Sequence, residues 1–341
     1  MRTSRILGAV AATALVLGLA ACSGSAPDTA AADADTGADA GFPVTIEHVY
    51  GETVIPAKPE RVATIAWANH EVPLALGIVP VGMSKATWGD DDGDGVLPWV
   101  EDRLEELGAE TPVLFDDTDG IDYEAVSDTD PDVILAAYSG LTQEEYDTLS
   151  KIAPVVAYPG VAWGTSVDDM IRMNAAALGL AEEGAELIDE LHGEVAAALE
   201  AHSALKGKKV LFSYLDPSDL SQVGYYTAAD TRPGFLAAAG LPMPSIVDAH
   251  ADSTDFYLTV SSEKADELDD VDVFVGYGDD SLIATLQADP LLSKIPAIAA
   301  GHVAILPDAT PLAASANPSP LSIPWGIDDY FALLAAPLSG Q

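Results

Sequence analysis

The chain has little from which to build several common kinds of site. Its one cysteine, Cys22, rules out an internal disulfide in 341 residues and leaves no thiol cluster for a metal or a redox pair. Lysine and arginine number 14 against 55 aspartates and glutamates, a net charge of −41. A nucleic-acid backbone demands the opposite balance, so that partner is excluded. The six histidines, His48, His70, His192, His202, His250 and His302, lack metal-ligand spacing, which argues against direct capture of zinc or manganese. Neither a G-x-S-x-G phrase nor a phosphate-cradling P-loop occurs. With no nucleophile–base pair in view, an enzyme is not expected. Residues 6–20 form an apolar run, but one too short and too rich in small residues to span a membrane.

What is present is a large apolar fraction, 49% of residues, enough for one large or two medium cores. The amino terminus begins with Arg2 and Arg5 before the apolar run, and Leu19-Ala20-Ala21-Cys22-Ser23-Gly24 resembles a bacterial lipobox. That resemblance implies a signal peptide over 1–21, cleavage before Cys22, acylation of its sulfur, and a lipid anchor on the outer face of the cytoplasmic membrane. Residues 22–42, rich in Ala, Asp, Thr and Gly without hydrophobic periodicity, read as a disordered tether.

Helical spacing dominates the middle of the chain. Val167, Met170, Ile171, Ala175 and Leu178, then Leu187, Ile188, Leu191, Val195 and Leu199, predict helices at 166–178 and about 181–202. On both sides strands alternate with helices, so parallel or mixed sheets covered by helices are expected. We divide the chain into an N-terminal lobe over 43–162, a helical block over 163–206 that bridges, and a C-terminal lobe over 207–337. The expected class is α/β: two sheet-containing lobes joined by a single long helix, with a ligand cleft between them.

Specific phrases sharpen this. Ile55-Pro56-Ala57-Lys58-Pro59-Glu60-Arg61-Val62, Ala75-Leu76-Gly77-Ile78-Val79-Pro80-Val81-Gly82, and Asp122-Tyr123-Glu124-Ala125-Val126 with Pro131-Asp132-Val133-Ile134-Leu135 occur in an order that resembles the ferric siderophore and cobalamin family of ABC-transporter substrate-binding proteins. The match covers about residues 43–337. It implies a non-catalytic, monomeric receptor that needs no cofactor and hands an iron(III)–siderophore complex to a permease and its ATPase. Cobalamin or haem is the rival cargo within that fold. A calcium-dependent surface adhesion lipoprotein is the rival from another class.

Ligands of open α/β sheets bind outside the carboxyl ends of strands, and the loops there are aromatic. Trp67 and Asn69 follow one expected strand, Lys85 and Trp88 the next, and Tyr138 another. In the second lobe the candidates are Tyr214, Tyr225, Tyr226, Arg232, Tyr257 and Tyr277. Aromatic walls with few cations suit a large, partly planar chelate. Since only Lys85 and Arg232 supply positive charge, a hydroxamate or mixed siderophore is expected rather than a catecholate. Glu144, Glu145 and Glu263 are the residues that the resemblance implies for docking to permease arginines. Lastly, Asp90, Asp92, Asp94, Gly95 and Glu101 fit D-x-D-x-D-G-x5-E, with Val96 offering its carbonyl. That pattern suits calcium as a structural ion, although no helix is expected to lead into it.

Overall fold

The structure is a computed structural model that describes residues 41–339. The anchor and most of the tether expected at the amino terminus, Cys22 included, lie outside the described residues. The chain opens with a hairpin, β1 (Val44–His48) against β2 (Gly51–Ile55), set in antiparallel register. Ile46, His48, Thr53 and Ile55 point inward in alternation, as a half-buried hairpin requires.

The first lobe then alternates strand and helix: β3 (Val62–Thr64), α1 (Glu71–Ala75), β4 (Gly82–Ser84), α2 (Pro98–Leu107), β5 (Val113–Phe115), α3 (Tyr123–Asp128), β6 (Val133–Leu135), α4 (Gln143–Leu149) and β7 (Val155–Val156). All five sheet strands run parallel in the order β5-β4-β3-β6-β7. β4 starts later than the apolar phrase Val79-Pro80-Val81 suggests, because Pro80 has no N–H to give a ladder. Chain direction reverses its march at β3, where β4 lies on one side and β6 on the other.

Two helices follow, α5 (Val167–Ala177) and α6 (Ala181–Ala201). Ser166 caps α5 by accepting from Asp169 N, the start that its sequence position predicts. On α6 the buried residues Ile188, Leu191, Val195 and Ala198 form one stripe, and at 1.5 Å per residue the helix runs for about 30 Å. It packs on α5 at one side and on the closing helix α12 (Ser322–Ala335) at the other.

The second lobe comprises β8 (Val210–Tyr214), β9 (Gln222–Tyr226), α7 (Thr231–Ala238), α8 (Ser245–Asp248), β10 (Tyr257–Ser261), β11 (Val273–Gly278), α9 (Ser281–Ala288), α10 (Pro296–Ala300), β12 (Val303–Pro307) and α11 (Pro311–Ser315) before α12. Its sheet order is β10-β9-β8-β11-β12, with β9 antiparallel to both of its neighbours. Tyr257 to Ser261 form the edge strand, and a 3₁₀ turn over Ser262–Leu268 follows it. Its period of two, with Val260 buried between exposed Thr259 and Ser261, is the strand signature.

The two sheets are separate but share one core. A single buried cluster runs from Val62 and Leu135 through Ile171, Leu191 and Val195 to Phe212, Val275 and Phe331. α11 reaches back as well: Ala314 is buried with Leu74, Trp99 and Leu97 of the first lobe.

Candidate functional site

In each lobe the first strand, β3 or β8, lies at the place where the strand order reverses, so its carboxyl end faces the cleft. The loops there assemble the site. In the first lobe, Trp67, Lys85 and Trp163 surround a pocket of about 180 Å³, completed by His70, Met83, Ser84, Val96, Leu97 and Asp117. Asp117, whose burial pushes its carboxyl above the usual range, accepts a hydrogen bond from Ser84 Oγ. Trp163 was not among the expected residues. It follows β7 as Trp67 follows β3, and the carboxyl-end rule could have found it. Its indole crosses Gly140, where any Cβ would lie 2.1 Å from Nε1, and meets Tyr138 edge-on at 5.5 Å.

In the second lobe, rings gather around one cation. The Arg232 guanidinium lies 3.8 Å from the Tyr226 centroid and 5.1 Å from that of Phe212, with Tyr277 5.6 Å from Phe212 and Tyr257 5.5 Å from Tyr226. Tyr257 lies across Gly224, whose missing side chain makes room for its hydroxyl. Tyr214, half exposed, completes this edge. Arg232 donates from Nε to Asp230 Oδ1 and from Nη2 to Asp230 Oδ2, both at 2.8 Å, and from Nη1 to the Tyr277 hydroxyl at 3.4 Å. Burial alone would lower its affinity for a proton, but the two-point pair with Asp230 raises it above the ordinary value. The charge is permanent and already matched.

The halves touch at the cleft. Trp88 meets Tyr277 edge-on at 5.3 Å, and Asn317 Nδ2 donates to the Tyr138 hydroxyl at 3.2 Å. Deeper down, Glu71 accepts from Trp99 Nε1 at 2.9 Å and from Leu321 N at 3.0 Å. That carboxyl group, on a residue 1% exposed, ties α1 and α2 to the start of α12.

Two expected ligand residues are corrected. Asn69 is fully buried and does not face the cleft: its Nδ2 donates to Ile65 O and Tyr138 O, both at 2.8 Å, while Oδ1 accepts from Tyr138 N and Asn174 Nδ2, both at 3.1 Å. It splints two loops, and in that way positions Tyr138. Tyr225, 1% exposed, packs on the opposite face of its sheet among Leu211, Val223 and Val260, and its hydroxyl lies 3.2 Å from His250 Nδ1. The period of two in a strand gives the cleft-side position to Tyr226 instead.

The docking and metal candidates sit elsewhere. Glu144 and Glu263 are exposed. The Glu145 carboxylate is engaged in a capping box, accepting from Thr142 N at 2.7 Å and Thr142 Oγ1 at 2.8 Å. In the acidic loop, ligand atoms of Asp90, Asp92 and Asp94 lie within 4.8 Å of one another. Asp90 accepts from Gly93 N and Gly95 N, which curls the loop and lowers its pKa despite burial. Glu101 on α2 is raised by burial and by nearby Asp94 and Asp92. Strand β4 and an irregular loop, not a helix, lead into this segment. A larger cavity of about 370 Å³ is walled by α5, α6 and α7 and is lined by none of the expected site residues.

Two α/β lobes with matching strand order, a connecting helix and a ring-lined cleft define a two-lobed binding protein rather than a catalyst. Residues 62–310 match the periplasmic binding protein family, and the chain belongs to it. The structure superposes on that of Streptococcus pneumoniae TIGR4 PiaA in complex with ferrichrome, with a TM-score of 0.83 at 48% identity over 86% of this chain and 98% of that one. A periplasmic solute binding protein from Mycobacterium smegmatis str. MC2 155 gives a TM-score of 0.69 at 27% identity, over 87% of this chain and 99% of that one. The probable siderophore-binding lipoprotein YfiY of Bacillus subtilis (strain 168) is 30% identical over 153 residues, 44% of this chain and 43% of that relative. The chain thus spans under half the length of that relative.

Proposed function

We propose that this protein is the substrate-binding lipoprotein of an ABC importer and takes a ferric siderophore between its lobes. The observation that carries the reading is the charge balance of a ring-lined cleft. Arg232 is already neutralised by Asp230, and Lys85 is the exposed cation of the first-lobe pocket. A trianionic ferric catecholate would enter with most of its charge unmatched, at a desolvation cost of several kcal/mol. A ferric tris-hydroxamate, whose ligand charges cancel that of iron(III), needs rings and hydrogen bonds instead. The PiaA structure with ferrichrome, at 48% identity, supports this class. A native mass spectrum of protein drawn from iron-starved cells should show a retained iron–hydroxamate mass; a cobalamin or haem mass would replace the reading.

Delivery needs a docking surface, and the repeat between the lobes refines which glutamates form it. Glu263 is the second residue of the turn that precedes β11. Its topological counterpart is the second residue of α3, which precedes β6: that residue is Glu124, exposed like Glu263. Glu144 and Glu145 belong to α4, after β6, and Glu145 is spent on its cap. The pair that faces permease cations is therefore Glu124 and Glu263. Replacing both with Ala should leave ligand affinity unchanged and lower uptake into cells at least about tenfold; unaltered uptake would refute the pair.

On this reading an acyl chain on Cys22 anchors the protein to the outer face of the cytoplasmic membrane, on its extracellular or periplasmic side, and Cys22→Ala should release it from membranes. The Asp90–Glu101 loop is offered as a structural calcium site that stiffens the wall behind Lys85, whose stem crosses Gly95. Calorimetry with calcium alone tests it, and no heat of binding would remove the ion from the account.

A further inference from the structure

Besides its aromatic walls, the first-lobe pocket is lined by His70, Ser84, Lys85 and Asp117. Five non-glycine residues among those described have a left-handed backbone, and three of them line this pocket: Ala66 at φ 62°, Ala68 at φ 61° and Trp163 at φ 60°. Such conformations cost about 1–3 kcal/mol each and persist where the surroundings enforce them. The loop after β3 is thus held in an expensive shape, and what it delivers is Trp67 and His70.

His70 sits between two residues whose polar atoms are fully used, Asn69 and Glu71. It differs from both. Only 8% exposed, it lines the pocket, and its Nδ1 is buried with no hydrogen-bond partner. An orphaned donor is rarer and costlier than an orphaned acceptor, which assigns the proton to Nε2, the ring nitrogen that is not a buried, partnerless atom. Burial lowers the ring's pKa to about 4, so at neutral pH it is an uncharged donor.

We propose that His70 is a specificity-determining residue, donating Nε2–H to a carbonyl oxygen on an arm of the ferric hydroxamate seated between Trp67 and Trp163. The proposal rests on the siderophore reading and names the group that the pocket recognises. A neutral donor suits a neutral oxygen: it reads position without demanding charge, in keeping with the matched Arg232–Asp230 pair opposite.

The test is a set of titrations with a ferric tris-hydroxamate on a peptide scaffold, read by tryptophan fluorescence, with thermal melting recorded for each variant. His70→Phe keeps a ring but no donor and should weaken binding by about tenfold or more. His70→Gln places an N–H near the Nε2 position and should restore most of that loss. His70→Asn places it near Nδ1 and should not. If His70→Phe binds as tightly as the parent, or if Gln and Asn variants are equally weak, the proposal falls. Should His70→Phe fail to fold, the Gln–Asn contrast decides alone. If the parent protein ignores every ferric hydroxamate, the siderophore reading itself fails, which is a separate outcome.

Discussion

In the first lobe the cleft-side surface is shaped by backbone: left-handed Ala66, Ala68 and Trp163 hold two indoles and an imidazole around a narrow pocket. The second lobe reaches the same end with regular strands and side chains, stacking Tyr226, Phe212 and Tyr277 about the Arg232–Asp230 pair. Strain fixes one wall and a neutralised ion pair the other. The difference teaches that a cleft can be preorganised without a net field. On the proposed function, shape is set before the ligand arrives, and cargo is selected as much by charges already cancelled as by charges on offer.

Breaking the second wall should have the largest effect. Asp230→Ala leaves Arg232 buried without its carboxylate, which should cost about 3–5 kcal/mol in urea unfolding. Among molecules that still fold, it should raise affinity for anionic ferric complexes. A loss under about 1 kcal/mol would mean that the pair does not organise this wall.

The join between the walls comes next. Burial raises Glu71 to about 7 from an ordinary 4.5. Its folded-state pKa lies above the unfolded one, so the stability it contributes is complete below about pH 4.5 and lost as pH rises through about 7, a change of about 3 kcal/mol. Glu71→Gln removes the titration. The difference in unfolding free energy between the parent and this variant should therefore fall by about that amount over the window; a constant difference would show that Glu71 does not hold its proton. Smallest is the first wall's aromatic face. Trp163→Ala should weaken ligand binding by about ten- to a hundredfold with an unchanged melting temperature, and unchanged affinity would remove Trp163 from the cleft.

Much of the fold could be read from periodicity. The helix stripe of Ile188, Leu191 and Val195 and the alternation in β1 and β2 each expose one face to a core, so their spacing reports it. The site was less legible. Tyr225 and Tyr226 are consecutive tyrosines in a strand covered on both faces, and composition cannot say which face meets the cleft. Asn69 and His70 are adjacent polar residues on one loop; only three-dimensional bonding shows that Asn69 splints the loops while His70 keeps a nitrogen without a partner. Asp230 stands two residues before Arg232, yet only the folded chain shows that it both caps α7 and pairs with the guanidinium. Glu124 emerged only once the strand orders of the two lobes could be laid side by side.

The charge-matched cleft is best tested by titrating the tryptophan fluorescence of the mature protein with a ferric tris-hydroxamate and with a ferric tris-catecholate at the same ionic strength, with cobalamin and haem as further ligands. Saturable quenching by the hydroxamate, at least about a hundredfold tighter than any response to the catecholate, is the predicted result. Tighter binding of the catecholate, or a response confined to cobalamin or haem, would contradict the account.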